Sequence, residues 1–185
     1  DKFTNTSCVF SPEGKLLGRY DKIHLFDVNV EDNEKQYRES RFTQAGTKVS
    51  VVDIDQLKLG LSICYDLRFP ELFRHLTHLG ADIISVPSAF TKVTGQAHWQ
   101  ALLQARAIEN QVYIVAAGQE GTHANNRETW GHSMIINPWG EIISCLPQGQ
   151  GIISADISRA ELNKIRSAIP VAEHNQFTTK LKSYE

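Results

Sequence analysis

Three short apolar runs separated by two helix-like stretches constrain what this chain can fold into. The runs LKLGLSI (57–63), ADIISVP (81–87) and VYIVAAG (112–118) have the length and character of strands buried on both faces of a sheet. Helices are expected over about 70–79 and 96–110, between those strands. Downstream, HSMIINP (132–138), EIISCL (141–146) and GIISADI (151–157) read as further strands, followed by a last helix over 158–167. Strand, helix, strand, helix and then mostly strands argues for an α/β layered fold on a mixed sheet. Upstream, TSCVF (6–10) and KLLGRY (15–20) flank Ser-Pro-Glu-Gly and read as a hairpin, while the polar stretch 30–47 reads as a long surface loop. No repeats, low-complexity tracts or linkers interrupt the 185 residues, so one domain over 1–185 is expected.

The first of these junctions carries chemistry. In LGLSICYDLRFPEL (59–72), Leu59, Leu61 and Ile63 alternate with small residues up to Cys64. Immediately afterwards Asp66 offers a cap and Pro70 suits the first turn of a helix. A thiol on such a strand-to-helix turn lies near a helix N-terminus, whose partial positive charge favours the thiolate. A core cysteine is the competing reading, because free Cys is among the most buried residue types. Cys8 and Cys145 fall within expected strands and keep that reading.

Other candidates are less localised. Lys22 follows a strand and precedes Ile23, Leu25 and Phe26. Beside a thiol it would lower the thiol pKa and stabilise an oxyanion; elsewhere it is a solvated surface charge. Glu39, in the polar stretch, has the same two readings. His24, His98 and His132 are candidates for a Cys-His dyad and equally for structural histidines. Arg106 and Glu109 are spaced as a helix-supporting pair.

Several function classes find no support. The three cysteines form no CxxC pair, and the histidines show no HxxxH or HExxH spacing, so no metal site is indicated. Phosphate-binding glycine patterns are absent, and with a net charge of −2 nothing suggests a nucleic-acid partner. No apolar stretch approaches the roughly 20 residues needed to span a bilayer. Unpaired cysteines make the cytoplasm the default location.

Taken together, YDKIHLFDV (20–28), GLSICYDLRFPEL (60–72) and GHSMIINPWGE (131–141), with PSAFTKVTGQAHW (87–99) and QARAIENQVYIVAAGQ (104–119), resemble the nitrilase (carbon–nitrogen hydrolase) superfamily. The similarity spans the chain and is greatest to the deaminated-glutathione amidase branch, with omega-amidases next. The resemblance implies an αββα sandwich, a homodimer or larger homo-oligomer, no cofactor, and a Glu-Lys-Cys set acting on a small-molecule amide. By position, Cys64 matches the nucleophile and Lys22 the catalytic lysine. Glu39 matches a second glutamate beside that lysine, and the Tyr65 N–H would share the oxyanion role. The family's general-base glutamate lies upstream of the lysine, in a segment without a counterpart here. The expectation is therefore an N-terminally incomplete domain. Two functions stay open: a thiol amidase, or a related nitrilase, omega-amidase or N-carbamoyl hydrolase on the same scaffold, and a catalytically silent or partner-binding derivative.

Overall fold

The computed structural model describes residues 1–182 apart from 33 and 125. Its first hairpin is the expected one, β1 (Thr6–Phe10) against β2 (Leu16–Asp21). The polar stretch expected to be a loop contains a second small hairpin, β3 (Asp27–Asn29) with β4 (Gln36–Arg38), followed by a 3-10 turn, Glu39–Arg41. Its strands bury little, so the hydrophobic pattern carries no sign of them.

The main sheet begins with β5 (Val51–Ile54) and β6 (Leu57–Leu61), joined by a tight turn. A 3-10 turn, Cys64–Arg68, leads into α1 (Pro70–His78), then β7 (Ile83–Ser85), α2 (Lys92–Asn110) and β8 (Tyr113–Ala116). A short hairpin of β9 (Glu120–Thr122) and β10 (Glu128–Trp130) precedes β11 (Ser133–Ile136) and β12 (Ile142–Leu146). The six strands order β12-β11-β8-β7-β6-β5, with β6, β7 and β8 parallel and the outer pairings antiparallel. This is the expected mixed sheet, with parallel strands connected through helices. No strand forms over 151–157: the segment lies outside every ladder, and Ile152 is 97% exposed. Side-chain packing of Ile157 beside Ile83, Tyr113 and Leu162 holds its end in place of a ladder. The chain ends in α3 (Arg159–Ala168) and α4 (Val171–His174).

Adjacent residues on β7 show how the layers form. Ile84 packs with Ile114 and Ile136 against Leu72, Phe73 and Leu76 of α1 and Trp99, Leu103 and Ala107 of α2. Ile83 points the other way, with Tyr113 and Leu162 of α3. The buried α2 residues Gly95, Trp99, Leu103 and Ala107 recur every fourth position, a stripe that faces the sheet. β2 closes onto β5, where Gly18 lies so near Val52 that a Cβ would overlap its side chain. No helix of the described residues is long and apolar enough to cross a membrane.

Candidate active site

An open cleft of about 1120 Å³ lies beyond the carboxyl ends of β6, β7 and β8. Cys64 follows β6, Ser88 and Ala89 follow β7, and Gly118 and Gln119 follow β8; all line it. Ligands of parallel sheets bind at this end because successive loops fan apart there. Lys22, Glu39 and Tyr65 line the same cleft, so the four residues that the family resemblance assigns to the site gather in one place. Among the described residues, no cluster of three or more His, Cys, Asp or Glu could hold a metal ion.

Cys64 sits on a strained turn. Ile63 is still extended (φ −139°, ψ 116°), but Cys64 takes φ +50°, a left-handed conformation uncommon outside glycine. Holding it there costs on the order of 1–3 kcal/mol. The surrounding bonds fix the conformation: the Cys64 N–H donates to Pro87 O at 2.9 Å, and the Ile63 N–H donates to Asp66 Oδ2 at 2.9 Å. At the far end of the turn, the buried Arg106 donates from Nε and Nη2 to Leu67 O at 3.0 and 2.8 Å. The expected pairing of Arg106 with Glu109 is present at 3.0 Å, yet its larger task is to satisfy this carbonyl.

From the sequence, a helix terminus is expected to favour the Cys64 thiolate. In the structure burial dominates and pushes the thiol pKa up, while the Lys22 charge, the Ala89 N–H and the Ser88 hydroxyl pull it back. Ser88 Oγ is buried and, among the described residues, has no other hydrogen-bond partner in good geometry. Ser88 was not singled out in the sequence, although it lies in PSAFTKVTGQAHW (87–99) at the end of an expected buried strand, which was the available signal.

Lys22, directly after β2, is 3% exposed. Its Nζ donates to Glu39 Oε2 at 2.5 Å. The same oxygen accepts the Phe26 N–H at 2.6 Å, and Oε1 accepts from Asn5 Nδ2 at 3.2 Å. Glu39 is therefore an anchor with both oxygens engaged. Glu34 is the other carboxylate lining the cleft among the described residues. Tyr65 stacks edge-on against Phe26 and Phe69, which fixes the peptide following the thiol.

None of the three candidate histidines lines the cleft. His24 bonds Asp66, His98 lies 3.3 Å from Arg68, and His132 stacks on Trp130. All three take the structural role that the sequence left open, and no Cys-His dyad forms among them.

Residues 1–167 match the carbon–nitrogen hydrolase family. A deaminated glutathione amidase of Yersinia enterocolitica is 49% identical over 181 residues, covering 98% of this chain and 63% of that protein. Among solved structures, Nit3 of Saccharomyces cerevisiae, of branch 10 of the nitrilase superfamily, superposes with a TM-score of 0.83 at 34% identity, over 96% of this chain and 61% of the other. The NitFhit protein of C. elegans gives 0.85 at 40% identity, over 98% and 45%. The chain thus spans less than two thirds of the length of each of these relatives.

Proposed function

Because this chain belongs to the carbon–nitrogen hydrolase family, we propose that Cys64 and Lys22 are the working pair of a thiol amidase acting on a linear carboxamide. Deaminated glutathione, or a similar 2-oxo acid monoamide, is the substrate class. The observation that carries this reading is Lys22: a lysine buried to 3% exposure, held by Glu39, whose charge acts on the Cys64 thiol at the floor of an open cleft. A lysine buried in an ion pair beside a cleft that also holds a thiol serves no packing need. Likeness to the Yersinia amidase supports the substrate class.

In the reaction the Cys64 thiolate attacks the carboxamide carbon, forming a C–S bond as the carbonyl electron pair moves onto oxygen. Lys22 and the Tyr65 N–H stabilise that oxyanion; losing one such donor typically costs about 10²–10³-fold in kcat. Collapse breaks the C–N bond, the nitrogen takes up a proton, and amine or ammonia leaves a thioester. Water then adds to the thioester, releasing the acid and restoring the thiol. Both Glu39 oxygens are engaged, so its part is to hold and aim Lys22. The thiol proton falls to the general-base glutamate that the family resemblance places upstream of the lysine, which then passes it to the departing nitrogen. Residues 1–185 contribute to this as one domain of a homodimeric or larger assembly.

The test is hydrolysis by the protein expressed from its complete reading frame. A 2-oxo dicarboxylic acid monoamide and its N-alkyl form are offered beside a nitrile and an N-carbamoyl amino acid. Release of acid from the amides, abolished by Cys64→Ala and insensitive to EDTA, is the expected result. Turnover of the nitrile or carbamoyl compound alone would reassign the substrate. No turnover of any compound would leave the silent, partner-binding derivative.

A further inference from the structure

We propose that Asp66 is a positioning residue that clamps the lysine-bearing segment 20–24 onto the nucleophile turn and so sets the separation of Lys22 from Cys64. This rests on the roles given above to those two residues.

Asp66 is wholly buried, and each of its oxygens receives two donors from elements that carry the working pair. Oδ2 accepts the Tyr20 hydroxyl at 2.8 Å and the Ile63 N–H at 2.9 Å. Oδ1 accepts His24 Nδ1 at 2.7 Å and the His24 N–H at 3.2 Å. Tyr20 and His24 lie two residues either side of Lys22, and Ile63 immediately precedes Cys64. The Tyr20 hydroxyl in turn accepts the Ile23 N–H at 3.2 Å. The His24 ring stacks on Phe69, at the end of the nucleophile turn, with centroids 3.7 Å apart and planes within 6°.

A loop closed onto α1 by packing alone would not need a buried carboxylate, which is costly to desolvate unless its oxygens are satisfied. Here the carboxylate joins two chain segments far apart in sequence at the one place where their side chains must act together. Misplacing reacting groups by about 1 Å can cost on the order of 10²-fold in rate.

Asn cannot reproduce this arrangement. Its amide nitrogen would face either the Ile63 N–H or the His24 N–H, and neither backbone donor can reverse its role. Among the described residues, the charged groups that act on the Cys64 thiol are Lys22 after β2, Glu39 after β4 and Arg68 on its own turn, while Glu34, Arg38 and Arg127 line the same cleft. Removing a nearby carboxylate would, by charge alone, lower the pH at which the thiol ionises. Releasing Lys22 from its place would raise it. The sign therefore separates positioning from simple electrostatics.

The experiment measures site-resolved alkylation of Cys64 by iodoacetamide against pH, using mass spectrometry because Cys8 and Cys145 are exposed and also react. Steady-state amide hydrolysis is followed in parallel. Asp66→Asn is expected to raise the alkylation midpoint by about one pH unit, and to lower kcat at least tenfold with KM within about twofold. Tyr20→Phe, which keeps the carboxylate and removes one donor, should shift both in the same direction by less. Arg166→Gln, in the remote Arg166–Asp82 pair, should lower Tm and leave the midpoint unchanged. A folded Asp66→Asn protein whose midpoint is unchanged or lowered overturns the clamp. Should that variant fail to fold, unchanged midpoints in both Tyr20→Phe and His24→Asn overturn it. A wild-type protein without amide turnover removes the amidase reading, while the alkylation midpoints still decide the clamp.

Discussion

Cys64 stands where two opposing effects meet. Its burial disfavours the anion that a nucleophile must become, and Lys22 restores part of what burial takes away. Replacing the lysine by a neutral side chain of similar length exposes the unopposed burial effect. Lys22→Met should therefore move the Cys64 alkylation midpoint upward, and slow amide hydrolysis by about 10²–10³-fold if the oxyanion reading holds. The same thiol leaves a mark on stability. Its pKa is raised on folding, so the folded state keeps a proton that the unfolded chain has lost. Its contribution is full below the ordinary thiol range, near pH 8.5, and disappears as pH rises through the folded value. Urea unfolding of wild type should thus weaken between about pH 8 and 10 more steeply than that of Cys64→Ser, whose hydroxyl does not titrate there. Equal slopes would mean that the thiol is not perturbed.

At the scale of elements, what could be read from the sequence depended on whether burial or backbone pairing makes the element. β6, β7 and β8 were legible because each is an apolar run bounded by helix signals. β3 with β4, and β9, were not, since their residues are largely exposed and polar, and β10 is only three residues long with one buried position, Thr129, too short to show an alternation. The reverse error occurred at 151–157, where an apolar alternation had no partner strand. α2 starts at Lys92, four residues before the expected boundary. Val93, Thr94 and Gly95 argue locally against a helix, but Gly95 lets α2 approach Trp130 of β10 so closely that any Cβ would strike the indole. Tertiary packing there outweighs propensity. Gly95→Ala, although it improves helix propensity, is expected to destabilise the protein by about 1–3 kcal/mol through overpacking, read as a lower urea midpoint at unchanged m. A gain in stability would show that Trp130 moves freely. The site divided in the same way. Cys64 was legible from a local strand-to-helix junction, whereas the meeting of Lys22 and Glu39 with it depends on contacts remote in sequence and was supplied by family resemblance alone, as was the role of the adjacent Tyr65 N–H.

At the scale of the whole molecule, the two faces of the sheet do different work. α1 and α2 cover one face, and the loops that leave the carboxyl ends of β6, β7 and β8, with the segments carrying Lys22 and Glu39, line the cleft. α3 covers the other, and its attachments lie on the sheet face away from α1 and α2. Leu162 is fully buried against Ile83 and Tyr113, and Glu161 accepts the Tyr113 hydroxyl. Arg166 reaches Asp82 Oδ1 at 2.9 Å and the carbonyls of Ala81 and Gln111 at 3.0 and 3.2 Å. These contacts fasten the amino-terminal ends of β7 and β8, opposite the carboxyl ends where Cys64, Ser88 and Gly118 gather. A cavity under α3 should therefore weaken the fold without reshaping the cleft. Leu162→Ala is expected to cost about 2–5 kcal/mol in unfolding free energy, the range for removing a buried leucine side chain. Hydrogen exchange should accelerate in α3 and at Tyr113, while the Cys64 alkylation midpoint stays at the wild-type value. A shift of that midpoint would mean that the two faces are coupled through β7 and β8, and that the placement of the thiol depends on α3 as well as on Asp66.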